Sequence, residues 1–538
     1  MLCHGCSSGF SFGDTEEILN IKDGLLNWSK DSLNSDEIQQ LEDDLKRYNE
    51  TLAGRNKDDP MPCPWDLTKP PPSKLLTELG GDLLPVCEER TWQELQDNAQ
   101  STACDLCRTL VAIIKTNIEA SVLGTDKVNT YFVSNALIPQ KLTCYVSSTS
   151  RFHVDPKMVF DFDCALEIAD GPALMELTSP ESISTLSESC LSYLENALAQ
   201  CLSEHQECAH GQAEFVPTRL LDVQCDIGDH GVVQLINGNT AEAISGRTRI
   251  DYATLSHVWG KHKPSQLLQD NLATMQHGIK LKQLSRCFED AIVVTRQLGL
   301  RYLWIDSLCI IQDSKADWET EAVTMHDVYQ SGVCNIAACL SKSSDESLFV
   351  ERDQIACTPV IFQHKFIDQT IRFTLLPDWI QWTKNKAPLY SRSWVVQERI
   401  LSRRIMNFSQ FPFFECREIN SNESFSSAVV KQPFVFGGHA QSERNWAVKL
   451  EDKTLSNWMT LVSLYSRSNL TYKSDKLIAF AGLASAFSKL IDFPYFAGLW
   501  GKEFLIPSLM WEKSSLNGPE PSDYQGERTQ NNRLKKYN

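Results

Sequence analysis

The 538-residue chain has no uninterrupted apolar run of the roughly 18 residues a membrane-spanning helix needs. It opens MLCHGCSSGFSFGDTEEIL, without a basic stretch leading into an apolar one. These two absences argue against a membrane span and against a secretory leader, so the expected compartment is the cytoplasm. Neither GxxxxGK[ST] nor GxGxxG occurs, and GxSxG appears only in the N-terminal stretch GCSSGFSFG, with no strand before it and helix after it to make a nucleophile elbow, so a P-loop ATPase, a Rossmann dehydrogenase or a serine esterase is a poor fit. Positive charge is scarce relative to negative. The 51 basic and 69 acidic residues give a net charge of −18, which disfavours a nucleic-acid backbone or an anionic membrane as partner. The 18 cysteines lack the dense, regular spacing of a disulfide scaffold, so most are expected to be free, buried thiols.

A hydrophobic content of 42% is ample for burial, and the length is too great for one ordinary core. Residues 1–100 are polar and broken by prolines (PMPCPWDLTKPPPSK), and read as a helical preface with a proline-rich linker. Residues 101–245 alternate helical and strand-like pieces, as expected of a mixed α+β lobe. From 246 to 408 the text runs strand YATLSHVW, helix RCFEDAIVVTRQ stopped by Gly299, strand YLWIDSL, helix DWETEAVTMHDVY and strand VCNIAACL. That alternation is the signature of an α/β fold with a parallel sheet. Residues 409–513 read as a mixed extension packed on this core, and 514–538 as a disordered polar tail.

Ligands of open α/β sheets sit beyond the carboxyl ends of the strands, so the residues that end each strand matter most. In YATLSHVWG, Ser256 and His257 precede Gly260, which lets the backbone turn or approach a ligand. A satisfied corner explains the same pair. In YLWID, Asp306 closes the apolar run, where it either holds a ligand hydroxyl or caps the next turn. The following helix carries an oddity. Wound at about 100° per residue, it gathers Trp318, Ala322, Met325, Val328 and Tyr329 on one stripe, and Glu321 falls between Val328 and Met325. An inward carboxylate of this kind is either paired or used, and burial raises its pKa unless donors compensate. RSWVVQERILSRRI repeats the pattern, with Gln397 and Glu398 flanking Trp394 and Leu401. The simplest reading is a buried network in which Arg392, Arg399 or Arg403 pairs with Glu398 or Glu321.

Cys104-Asp-Leu-Cys107 and Cys201-Leu-Ser-Glu-His205-Gln-Glu-Cys208 together offer thiolate and imidazole ligands for a structural zinc. Cys201, His205 and Cys208 also share one helical face, so core packing accounts for them equally.

YATLSHVWG, YLWIDSLCIIQDSKADWETEAVTMHDVY and RSWVVQERILSRRIMNF, in this order, resemble the three motif blocks of the fungal heterokaryon incompatibility (HET) domain. PTRLLDV, LTYKSDKLIAFAGLASAF, YFAGLW and LMW resemble its companions, so about half the chain is covered. The resemblance implies a cytosolic effector of fungal non-self recognition that triggers programmed cell death, through self-association or a recognition partner protein. HET domains are in turn similar to TIR domains, which have a flavodoxin-like parallel sheet. The enzymatic members cleave the nicotinamide–ribose bond of NAD with a helix-borne glutamate. That likeness points to Glu321 as the catalytic acid beside Asp306 and Ser256, and to Ser256, His257, Gly260, Arg392 and Glu398 as NAD-binding residues. The alternatives are a non-catalytic signalling or assembly module and an inert paralogue.

Overall fold

The computed structural model describes residues 90–101, 104–118, 129–134, 141–147, 158–168, 182–209, 215–225, 231–240, 250–261, 264–365, 370–423, 455–488, 493–496 and 499–501, with single positions 46, 50 and 505. The proline-rich linker, almost all of the preface and the tail 514–538 lie outside the described residues.

Nine strands build the larger sheet: β1 (Arg219–Asp222), β2 (Val232–Asn237), β3 (Tyr252–Ser256), β4 (Ile279–Lys280), β5 (Tyr302–Ile305), β6 (Cys334–Ala338), β7 (Arg404–Phe408), β8 (Phe413–Cys416) and β9 (Asn420–Asn422). Among the described residues they lie in the order β9-β8-β7-β6-β3-β5-β1-β2-β4. The middle four, β7, β6, β3 and β5, are parallel. The remaining strands attach antiparallel at both edges. The chain is therefore α/β, as the alternation implied, but its sheet is mixed. Every residue of the four parallel strands is buried. Covered on both faces, they show no alternation of buried and exposed positions.

The helices used below are α1 (Glu188–Glu204), α2 (Arg286–Gln297), α3 (Lys315–Ser331), α4 (Ser393–Leu401), α5 (Leu455–Ser466) and α6 (Ile478–Ser488). α2 has the boundaries read from the sequence and is followed by Gly299 at φ 68°. From β3 the chain crosses one way through α2 to β5, then the other way through α3 to β6 and α4 to β7. Right-handed crossovers place such helices on opposite faces. Accordingly α2 meets α1, whereas α3 and α4 meet α6. The order reverses between β3 and β6, and at such a switch point a crevice opens beyond the strands' carboxyl ends.

A second, antiparallel sheet has six strands among the described residues: Arg90–Thr91, Asn129–Ser134, Lys141–Ser147, Met158–Ile168, Thr370–Pro377 and Val360–Lys365. Its last two come from within 246–408, while β1 and β2 come from within 101–245. The expected boundary at 245 thus separates neither sheet, and the two lobes are interleaved.

α5 and α6 close the far side around Trp458, Phe480, Phe487 and Trp500, joined by Ile400 and Leu401 of α4. Gly482 permits this approach, because a Cβ there would lie 2.5 Å from His326 Cβ and 2.6 Å from Gln397 Oε1. The inward Gln397 is explained by the same contact, since its Oε1 accepts the Gly482 N–H at 3.0 Å. Among the described residues no helix is long and apolar enough to cross a membrane.

Candidate functional site: the strand-end cleft

A cleft of about 670 Å³ opens beyond the carboxyl ends of β3 and β5. Trp259 and Gly260 from the loop after β3, Asp306 after β5, Trp318 on α3, and Arg392 and Glu398 of the third motif all line it. Trp394 and Tyr472 add further aromatic wall. Gly260 has φ 84°, and a Cβ on it would meet Ser343 Cβ at 2.4 Å. Only glycine suits that close, left-handed turn.

The polar groups converge through few atoms. Ser256 Oγ donates to Glu398 and accepts from Asn335 Nδ2 at 2.9 Å. Asn335 Oδ1 in turn accepts from Thr254 Oγ1 at 2.9 Å. The Trp259 indole N–H donates to Asp306 Oδ2 at 2.9 Å, and His257 Nδ1 lies 3.7 Å from Asp306 Oδ1. Arg392 donates to the His257 carbonyl, which ties the third motif to the first. Burial pushes the Glu398 carboxyl up to about 7, against the opposing pull of Ser256, Arg392 and Tyr329. Burial and Arg392 bring the His257 imidazole down to about 4, with Asp306 opposing, so it is neutral at physiological pH. Its Nε2 finds no hydrogen-bond partner among the described residues, and its ring packs edge-on against Phe288 at 4.9 Å.

Glu321 is buried at 3% exposure, as the helical wheel implied, but it is not among the cleft-lining residues. Thr218 hydrogen-bonds to it, and Arg219 Nη1 lies 3.8 Å from its Oε1. Arg219 also pairs with Asp317 and donates to the Cys309 carbonyl. Burial still raises the Glu321 pKa, with Thr218 and Arg219 opposing. The expected arginine partner from the third motif is replaced by one from β1. The third motif's own Arg399 instead pairs with Glu415 at 3.0 Å, which Lys384 joins at 3.3 Å. Ser256 is likewise held behind the wall, at 1% exposure, and acts on Glu398 rather than facing the cleft.

The proposed zinc set is also rearranged. Cys201, His205 and Cys208 do come together, and their fourth neighbour is Cys416. Cys104 and Cys107 stand outside this group, at the start of the helix Asp105–Asn117, which packs against Ile355–Cys357.

Sequence reasoning missed Trp259, Asn335, Arg219 and Cys416. A signal existed for two of them. Trp259 lies inside YATLSHVWG, and Asn335 is the one polar residue in VCNIAACL. Arg219 and Cys416 reach their positions only through the long-range antiparallel pairing of β1 and β8, which no local pattern announces.

No curated protein and no solved structure matches the chain. The family model described as heterokaryon incompatibility protein (HET) matches residues 252–398, from the first residue of β3 to the buried carboxyl on α4. The segment that frames the cleft is thus a HET domain, and that match implies a role in heterokaryon incompatibility.

Proposed function

We propose that this HET-domain protein is an effector that depletes NAD and so triggers cell death after non-self recognition, with Glu398 as the carboxylate of its strand-end cleft. The observation that carries this reading is the position of Glu398: fully buried, anchored by Ser256, and still on the wall of a cleft lined by tryptophans. The parallel order β5-β3-β6-β7, with its reversal between β3 and β6, supports a TIR-like, flavodoxin-like core. Trp259, Trp318 and Trp394 offer flat faces to aromatic rings, and Arg392 and Lys261 offer charge to a pyrophosphate.

In the reaction, the bond between ribose C1′ and the pyridinium nitrogen breaks, and its electron pair leaves with the nitrogen. Nicotinamide departs neutral. Positive charge develops on the ribose, where the Glu398 carboxylate stabilises it, and water adds at C1′ with loss of a proton. Asp306, held by Trp259, is placed to orient a ribose hydroxyl or accept that proton.

A second reading is a non-catalytic assembly module. It is favoured by the bond from Ser256 that already satisfies Glu398 inside the core. Purified full-length wild type, Glu398→Gln and Glu321→Gln, each tested free and artificially clustered, separate the two. The enzyme reading expects nicotinamide release by clustered wild type, about 100-fold less by Glu398→Gln at equal folded fraction, and near-normal release by Glu321→Gln. Equal turnover in Glu398→Gln, or none in clustered wild type, overturns it. Cell death without NAD loss selects the assembly module.

A further inference from the structure

We propose that Cys201, His205, Cys208 and Cys416 form a structural zinc site that fastens α1 to the edge of the large sheet. The four ligand atoms all lie within 4.8 Å of one another, and His205 Nδ1 is 3.4 Å from Cys416 Sγ. A tetrahedral Zn²⁺ with bonds of about 2.3 Å to sulfur needs ligand atoms about 3.8 Å apart, so small side-chain rotations close the site. Three elements supply the ligands. Cys201 lies in the last turn of α1, and His205 is that helix's C-cap. Cys208 sits in the short helical turn Gln206–Ala209, and Cys416 ends β8.

The surroundings are those of thiolates. Cys201, Cys208 and Cys416 are each fully buried. The backbone N–H groups of Glu418 and Ile419 both point at Cys416 Sγ, at 3.4 and 3.3 Å. The guanidinium of Arg404, itself 2% exposed, donates Nε–H to Cys201 Sγ at 3.1 Å. Its Nη2 holds the Cys208 carbonyl at 3.3 Å. Outer donors of this kind orient metal-bound sulfurs and offset their charge. Three thiolates, one neutral imidazole and Zn²⁺ sum to −1, which the adjacent Arg404 neutralises. Packed neutral thiols require neither a cation nor two aligned amides. The soft thiolate-rich set with one imidazole suits zinc rather than magnesium or calcium.

The site stands apart from the cleft. Cys416 pairs with Arg404 at the amino end of β7, whereas the cleft lies beyond the carboxyl ends of the parallel strands. Its test is therefore independent of NAD chemistry. Full-length protein purified without chelator is analysed for metal, and the ion is exchanged for Co²⁺. We expect about one zinc per chain, and a cobalt spectrum of a tetrahedral site with thiolate charge transfer. Cys208→Ser and Cys416→Ser should each retain less than about a tenth of that zinc, and Cys107→Ser all of it. If the ligand variants do not fold, the cobalt spectrum of the wild type decides alone. A chain that purifies and reconstitutes without zinc, a full complement of zinc in Cys416→Ser, or a disulfide among the three thiols overturns the proposal.

Discussion

Glu398 makes a prediction at the scale of one residue. Its ordinary value of 4.5 is raised to about 7 by burial. Below 4.5 the carboxyl is protonated in both folded and unfolded chains. Between 4.5 and 7 the unfolded chain gives up the proton while the folded one keeps it, so rising pH penalises folding; above 7 the full penalty persists. His257, lowered to about 4, acts in the opposite direction, losing stability as pH falls from 6.5. Comparing wild type with Glu398→Gln cancels the histidine, because both proteins carry it. The unfolding free energy of wild type should therefore fall relative to Glu398→Gln between pH 4.5 and 7, by on the order of 3 kcal/mol, and stay level above. Denaturant melts across that range read this directly, and a pH-independent gap removes the buried-acid argument. The proposed nicotinamide release, for which Glu398 must be a carboxylate, should instead rise through pH 7. At this scale the sequence revealed direction but not company. The wheel turned Glu321 inward correctly, yet Arg219 reaches it from β1, a strand placed by long-range pairing.

Helices and strands were the most legible level where burial leaves a local pattern. α2 could be bounded at both ends because its apolar face repeats at helical spacing and Gly299 follows it. Three of the four parallel strands, β3, β5 and β6, were visible in the sequence, whereas β7, RIMNF, carries Arg404 and Asn407 and reads as part of the preceding helical stretch. Edge strands such as β4 and β9 are short, and their residues do not differ from loop text, so the mixed character of the sheet was not legible. The packing of α6 on α3 and α4 was equally hidden, since it depends on one absent side chain. Gly482→Ala tests it. Alanine favours a helix over glycine by about 1 kcal/mol, but a methyl 2.5 Å from His326 Cβ and 2.6 Å from Gln397 Oε1 forces the helices apart. Overpacking of this kind costs about 1–3 kcal/mol, so the steric term wins. We expect a net loss of stability together with reduced nicotinamide release, because Gln397 adjoins Glu398 on α4. Trp458→Ala, at the centre of the aromatic cluster, should cost about 3–5 kcal/mol. A Gly482→Ala protein as stable and active as wild type shows that α4 and α6 are not held at this distance.

At the scale of the whole molecule, the family match marks a segment of chain and not a unit that folds alone. β5 hydrogen-bonds to β1, and β6 to β7, strands that lie outside residues 252–398. Within the segment, the strand Thr370–Pro377 pairs with Met158–Ile168. The α4 residues Ile400 and Leu401 lie under α5 and α6. The expected domain 246–408 keeps β7 but loses β1, β8 and the helices after 455, leaving two open sheet edges and an uncovered apolar helix face. Unpaired edges of this kind recruit other chains. Produced alone, 246–408 should aggregate, whereas 90–505, which retains every described strand, should be monodisperse with cooperative unfolding. Sedimentation and denaturant melts of the two pieces decide it. The interleaving also bears on the cleft, because Tyr472, which lines it, and α6, which braces α4, both follow residue 454. If 246–408 proves monomeric and unfolds cooperatively, the edges are sealed some other way, and the flanking segments become regulators of a self-sufficient domain rather than parts of its frame.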